Sequence, residues 1–455
     1  MGHQPKQFNV QNHGLSRAMG FFDVICLGIN SVVGAGIFLL PGQLYGLAGN
    51  NAVWVFPLCG VLCFTIALCF AEMGGMYNKT GGAYLYARDA FGPFVGFLVG
   101  WMVWLSSIIG WASVASGFGL YLGYFLPSEN VWLSKAIVAV LIIGLSTINF
   151  FGVKPGARTI NFFTIGKLVP LLIFIGVGLF FIHENNPYLL KGDEGGVFSK
   201  LGQEAFSVKN FGAAIIMALY AYTGFEFVAV PAEEMRHPRR DIPRVLFFVM
   251  LIVTALYIVI QIVAKGTFPG LAESDKPLAD AAKYFMGTIG GVIIGVGALL
   301  SIGGINAGIA LTSPRSLYAL SADGFFPGIF SRIHPTYHTP YLAIIINTGL
   351  TLVLSLTGSF KYLIAASVMV SILQYIPTCL AVIVLRRCKP ESAGSYRIFG
   401  GYCIPVLALL ICGWLIYYVG LKVIAATAIA IIVSLPFYFK KSKLNHRGAE
   451  TKGNS

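Results

Sequence analysis

Between Asp23 and Glu72 the chain has no Asp, Glu, Lys or Arg, and eight further charge-free runs follow. They are Ala90–Ser128, Ala136–Val153, Val245–Ala264, Tyr284–Pro314, Ile333–Phe360, Tyr362–Leu385, Ile398–Leu421 and Val423–Phe439. A helix crossing ~30 Å of hydrocarbon needs ~20 apolar residues. The first run therefore holds two crossings, divided at Gly49-Asn50-Asn51. Two more emerge if one charge each is allowed: Thr159–His183 contains only Lys167, and Asn210–Ala232 contains only Glu226. Twelve spans result, near 20–48, 52–76, 94–126, 131–150, 160–182, 208–231, 243–266, 287–318, 340–357, 361–386, 403–420 and 422–439. The runs do not alternate polar and apolar residues as barrel strands do, so the expected class is an all-α polytopic membrane protein. Charged residues make up 11% of the chain, against roughly 25% in soluble domains. That shortfall excludes a soluble enzyme, a disordered scaffold and a secreted disulfide module.

Lysine and arginine placement sets the expected orientation. With the N-terminus inside, 21 of them fall on the cytoplasmic side and 9 on the other, with Lys167 at depth. Both termini are therefore expected in the cytoplasm, as tails 1–19 and 440–455. The net charge of +13 is then a topology signal. No loop is long enough to form a basic nucleic-acid-binding domain. Residues 1–19 are polar and do not read as a cleavable signal peptide. The eight cysteines form no C-x-x-C pair and are expected to pack as small core residues.

Two spans carry helix breakers at mid-depth. Span 1 reads Asn30-Ser31-Val32-Val33-Gly34-Ala35-Gly36-Ile37-Phe38-Leu39-Leu40-Pro41. Glycine costs roughly 1 kcal/mol in a helix interior and proline roughly 3. A break at Gly34 and Gly36 would free backbone N–H groups to hold a carboxylate. Small-residue helix packing reads the same stretch equally well. Span 6 repeats the pattern at Thr223-Gly224-Phe225-Glu226 with Pro231. Interrupted spans at corresponding positions 1 and 6 point to a transporter built of two inverted five-helix repeats, 20–182 and 208–386, with accessory helices over 403–439.

Charge inside a membrane costs at least ~2.5–3.5 kcal/mol. Lys167 thus reads as an ammonium sited among helix-break carbonyls, able to release and regain a proton in a cycle, or as a fixed or snorkelling structural cation. Glu226 reads as a proton-responsive gate, or as an acceptor for the unwound backbone of span 6.

Together these motifs resemble the amino acid–polyamine–organocation superfamily, and within it bacterial amino acid permeases and antiporters. The matching pieces begin with Gly34-Ala35-Gly36-Ile37-Phe38 and Pro41, Ala71-Glu72-Met73, and Gly81-Gly82-Ala83-Tyr84-Leu85-Tyr86. They continue through Lys167-Leu168, Glu234, Pro238-Arg239-Arg240-Asp241-Ile242-Pro243, Pro314-Arg315 and Asp323-Gly324-Phe325-Phe326-Pro327. The resemblance spans Gly20 to about Arg387. It implies a leucine-transporter-type 5+5 inverted repeat with helices 1 and 6 broken. It implies a substrate α-carboxylate at the N–H groups of Ala35 and Gly36, and an α-amino group at carbonyls of Val32, Tyr220 and Thr223. Lys167 matches a lysine that replaces a sodium ion in proton-coupled relatives. The stretch from Ser106 through Ser107 to Trp111 resembles a side-chain pocket wall, with Trp111 where an arginine/agmatine antiporter has an asparagine. An indole accepts no hydrogen bonds from a cation, though cation–π attraction offsets this in part. On span 8, Asn306, Ala307 and Ile309 are equal candidates to face the pocket.

The expected activity is secondary active transport in the cytoplasmic membrane by alternating access: proton-coupled uptake of neutral amino acids, with exchange of cationic amino acids or polyamines as the alternative. Expected partners are the amino acid, protons and lipid; no metal, cofactor or nucleic acid is expected. There is no filter-like ring for a channel, no Walker A motif and no H-E-x-x-H. A receptor that binds amino acid without moving it is not excluded by sequence.

Overall fold

The computed structural model describes residues 15–122, 131–185, 207–357, 360–388, 396–418 and 428–439. The ends of spans 3 and 11, the first part of span 12, residues 1–14 and the 440–455 tail lie outside them. The described residues contain α-helices, short 3-10 turns and one isolated bridge, Met19 to Met235, with no strand.

The first crossing is two helices, α1 (Phe21–Val32) and α2 (Ala35–Ala48). Asp23 opens α1 by accepting the Gly20 N–H at 2.8 Å, satisfying one of the orphan donors of a helix start. Then come α3 (Ala52–Met76), the short α4 (Ala83–Phe91), α5 (Pro93–Leu122), α6 (Val131–Phe150) and α7 (Val153–Asn185). Helix α4 is an addition to the sequence reading, which has only a loop there. Its Ala83–Ala87 segment is buried and Arg88 lies at its C-terminal end, where a cation suits the helix dipole. The sixth crossing starts as α8 (Val208–Tyr222) and then changes character. It is followed by α9 (Pro238–Thr267), α10 (Pro277–Ala322), α11 (Tyr341–Thr357), α12 (Phe360–Cys388), α13 (Cys403–Tyr418) and α14 (Ala428–Phe439). Helical segments thus occur over all twelve expected spans. Exposed residues such as Phe162, Phe180, Ile289 and Leu410 leave an apolar outer surface, as lipid contact requires.

Packing pairs the first four spans with the span five places later, whereas α7 packs on α10, α1 and α9. Helix α2 packs on α8, α3 on α9, α5 on α10 and α6 on α11. Helix α7 lies along α1, stitched at every third residue. Asn161 donates to Asp23 at 2.7 Å, Thr164 to the Cys26 carbonyl at 3.1 Å, and Lys167 to carbonyls further along. Residues three apart share a helix face, so one polar stripe of α7 does all three jobs.

On the face that holds the start of α1, buried charge is paired. Arg315 grips Glu234 through two hydrogen bonds of 3.0 and 2.8 Å, with both side chains wholly inaccessible. Arg386 grips Glu72 at 2.6 and 2.5 Å. Nearer the surface, Tyr84 and the half-buried Arg88 both donate to the half-buried Asp323. Of the cysteines, six are buried, Cys388 and Cys403 are exposed, and all are free thiols.

Candidate functional site

Helix geometry stops at Val33. Val33 (φ −74°, ψ 95°) and Gly34 (φ −116°, ψ −155°) are extended, and α2 restarts at Ala35 with no side-chain cap. The first N–H groups of α2, at Ala35 and Gly36, therefore have no partner within their own helix. The carbonyls at the end of α1 are answered by other elements. Lys167 Nζ donates to Asn30 O at 3.0 Å and to Val33 O at 2.5 Å. Ser301 Oγ also donates to Val33 O, at 3.1 Å. Lys167 is fully buried and makes no ion pair among the described residues. Its charge rests on carbonyl dipoles and on the negative end of the α1 dipole.

The second break is longer than the sequence reading has it. After Tyr222, Thr223 is extended and Gly224 is left-handed at φ 114°. The chain then runs as 3-10 turns over Phe225–Ala229 and Ala232–Glu234, with no return to α-helix before α9. Glu226 folds back so that its Oε2 accepts the Gly224 N–H at 2.9 Å, and Gln374 Nε2 lies 3.4 Å from its Oε1. A side chain at Gly224 would be strained and would collide with the Ser31 carbonyl, so glycine lets the two breaks touch. At Gly36 a Cβ would lie 3.1 Å from the Ala221 Cβ and 3.2 Å from its Cα. The Tyr257 hydroxyl sits between the breaks, 3.2 Å from Val32 O and 3.0 Å from Ala221 O.

Between the breaks lies a cavity of about 100 Å³. A single water needs roughly 10–15 Å³ of such space, so a molecule of several heavy atoms fits. Of the residues expected at the site, Val32, Gly34, Ala35, Gly36, Ser107, Tyr220, Thr223, Gly224 and Glu226 all line it. Two do not. Lys167 lies behind α1, against the carbonyls rather than the cavity. Trp111 is buried outside the cavity, and its neighbour Gly110 forms the wall instead. Successive helix residues point roughly 100° apart, so the lining positions Ser106, Ser107, Gly110, Ser113 and Val114 form one stripe, and Trp111 lies at its edge, about 40° past Ser107. At Gly110 the wall is recessed by a glycine, and Trp111 itself is not among the lining residues.

On α10 the lining residues are Ile305, Gly308, Ile309 and Thr312; Asn306 and Ala307 are buried elsewhere. Sequence reasoning reached Ile309 as one of three equals and missed Thr312 and Ser113. A register count from Ser301, seven and eleven residues before Gly308 and Thr312, places both on one helix face. Among the described residues Glu226 is the one charged residue in the cavity wall, whereas hydroxyls are plentiful. Ser31 donates to Leu27 O at 2.8 Å, Ser107 to Trp104 O at 2.7 Å, Thr223 to Tyr220 O at 2.9 Å and Thr312 to Gly308 O at 3.1 Å. A hydroxyl has one proton; spent on its own backbone, it presents only lone pairs to the cavity. The wall is therefore rich in acceptors for ammonium and hydroxyl donors, with backbone N–H donors gathered at the start of α2.

Residues 19–444 match the model of a family described as amino acid permease. The chain is 30% identical to the serine/threonine exchanger SteT of Bacillus subtilis, over 96% of this chain and 99% of that protein. It is 28% identical to the branched-chain amino acid permease BcaP of the same organism, over 95% of each. Cationic amino acid transporter 4 of Homo sapiens is 29% identical over 86% of this chain and 63% of its own length.

Proposed function

Because this chain belongs to the amino acid permease family and is a multi-pass membrane transporter of amino acids, we propose that its cavity takes one small neutral amino acid and that transport is coupled to protons. The observation that carries this reading is the cavity between the two helix breaks, with N–H donors on one side and hydroxyl acceptors on the other. The substrate carboxylate would meet Ala35 and Gly36. The ammonium would meet the carbonyls of Val32, Tyr220 and Thr223; Val32 and Tyr220 keep a lone pair beside their partners, the Tyr257 and Thr223 hydroxyls. A side-chain hydroxyl suits the acceptors Ser107 and Thr312, which favours serine and threonine, and a similar protein is named a serine/threonine exchanger.

In this reading the spans of α1–α3, α8 and α9 rock against the rest, exposing the cavity to each side in turn. The pairing of spans five places apart supports two inverted repeats, 20–182 and 208–386. Lys167 would be the proton carrier: protonated it ties α7 to the end of α1, and neutral it loosens that tie. Lysine and arginine placement supports a cytoplasmic-membrane location with both termini inside. The second reading, exchange of cationic amino acids or polyamines, is favoured by Glu226 in the cavity wall, although that carboxylate is already engaged by Gly224. Uptake of labelled serine into proteoliposomes under an imposed pH gradient tests the proposal. Accumulation that follows the gradient supports it, and uptake indifferent to the gradient removes the coupling.

A further inference from the structure

A second cavity, of about 320 Å³, lies at the start of α9, on the face that also carries the start of α1. It is lined by Arg17, Asn78, Arg236, His237, Arg239 and Arg240, drawn from three separate stretches of chain. The stretches are held together by backbone. Met19 N–H donates to Glu234 O at 2.9 Å and Arg236 N–H to Met19 O at 3.0 Å, so Arg17 and Arg236 are fixed near each other. Such a concentration of like charge is unfavourable unless an anion relieves it.

The carboxylates in reach do not balance it. Asp241 pairs with Arg240 at 3.0 Å, and Glu233 feels Arg17 and Lys79. Arg17, Arg236 and Arg239 make no ion pair among the described residues. Guanidinium groups bind phosphate oxygens in a planar, bidentate manner, so a cluster of them selects a phosphate group over a lone carboxylate.

One helix stripe joins this cavity to the hydrocarbon. Arg240, Arg244, Phe248 and Ile252 recur every four residues on α9 and share a face. All are exposed, Phe248 at 45% and Ile252 at 44%. A diacyl lipid laid along this stripe would place its chains on Phe248 and Ile252 and its head at the arginines. A free anion has no use for the apolar half.

We propose that the arginine-lined cavity at the start of α9 is a binding site for the phosphate of an anionic phospholipid, whose chains lie on the Phe248–Ile252 face. The site is separate from the amino acid cavity and holds together the ends of the first, second, sixth and seventh spans. It rests on the membrane placement of α9 and not on any choice of substrate or coupling.

The test uses full-length protein in detergent, given phosphatidylglycerol or phosphatidylcholine, with bound lipid read by native mass spectrometry. Wild type is expected to retain phosphatidylglycerol several-fold over phosphatidylcholine. The pair Arg236→Gln and Arg239→Gln is expected to lose that preference, while Arg236→Lys with Arg239→Lys keeps most of it. Equal retention of the two lipids by wild type, or an undiminished preference in the glutamine pair, overturns the proposal. Inorganic phosphate separates the sources. If phosphate alone raises the melting temperature of wild type but not of the glutamine pair, the site serves a soluble anion and the lipid assignment falls. No shift with phosphate, together with lipid preference, supports it.

Discussion

Lys167 Nζ lies 2.5 Å from the carbonyl of Val33, the residue at which the first helix ends. A cation on α7 thereby closes a gap in α1, and no carboxylate among the described residues shares the task. Lys167→Ala leaves the Asn30 carbonyl without this donor and Val33 with Ser301 alone. It should abolish pH-gradient-driven accumulation in proteoliposomes while counterflow of serine persists. If accumulation and its pH dependence survive, Lys167 is a structural tether only.

At the cavity α2 lies so close to α8 that a Cβ on Gly36 would sit 3.1 Å from the Ala221 Cβ. Gly36→Val would press on Ala221 and cover the N–H groups that the substrate carboxylate is proposed to use. Serine affinity, measured by calorimetry on purified protein, should fall at least tenfold, about 1.4 kcal/mol. Unchanged affinity would mean that the carboxylate binds elsewhere.

Much of this was legible beforehand, for a physical reason. In a chain so poor in charge, Lys167 and Glu226 stand out, and the glycines at 34, 36 and 224 mark where helices must open. What was not legible depended on rotation about a helix axis. Trp111 and Gly110 are adjacent in sequence, yet only one faces the cavity. The same ambiguity hid Ser113 and Thr312, and left Ile309 level with Asn306 and Ala307. The 3-10 course of 225–234 was also hidden, because Pro231 and Gly224 announce a break without stating its length.

Glu226 caps an unwound turn by accepting from Gly224 N–H. Glu226→Ala orphans that buried donor and should cost about 1–3 kcal/mol of stability. Glu226→Gln keeps an acceptor in place and should cost less. Thermal unfolding of both variants decides; an equal loss would show that the charge, and not the hydrogen bond, holds the turn.

Arg315 and Glu234 are both inaccessible and doubly bonded. Glu234→Gln leaves an uncompensated buried guanidinium, and losses of about 3–5 kcal/mol accompany such changes. Glu234→Leu combined with Arg315→Met should recover part of the melting temperature. A double variant no more stable than the single one would remove charge burial as the cause.

The acceptor-lined cavity is proposed to select a small neutral amino acid. Competition of labelled serine uptake by each of the twenty amino acids in proteoliposomes tests it most directly. Serine and threonine should compete best, alanine more weakly, and arginine and lysine little. Inhibition by arginine or lysine alone would contradict the account.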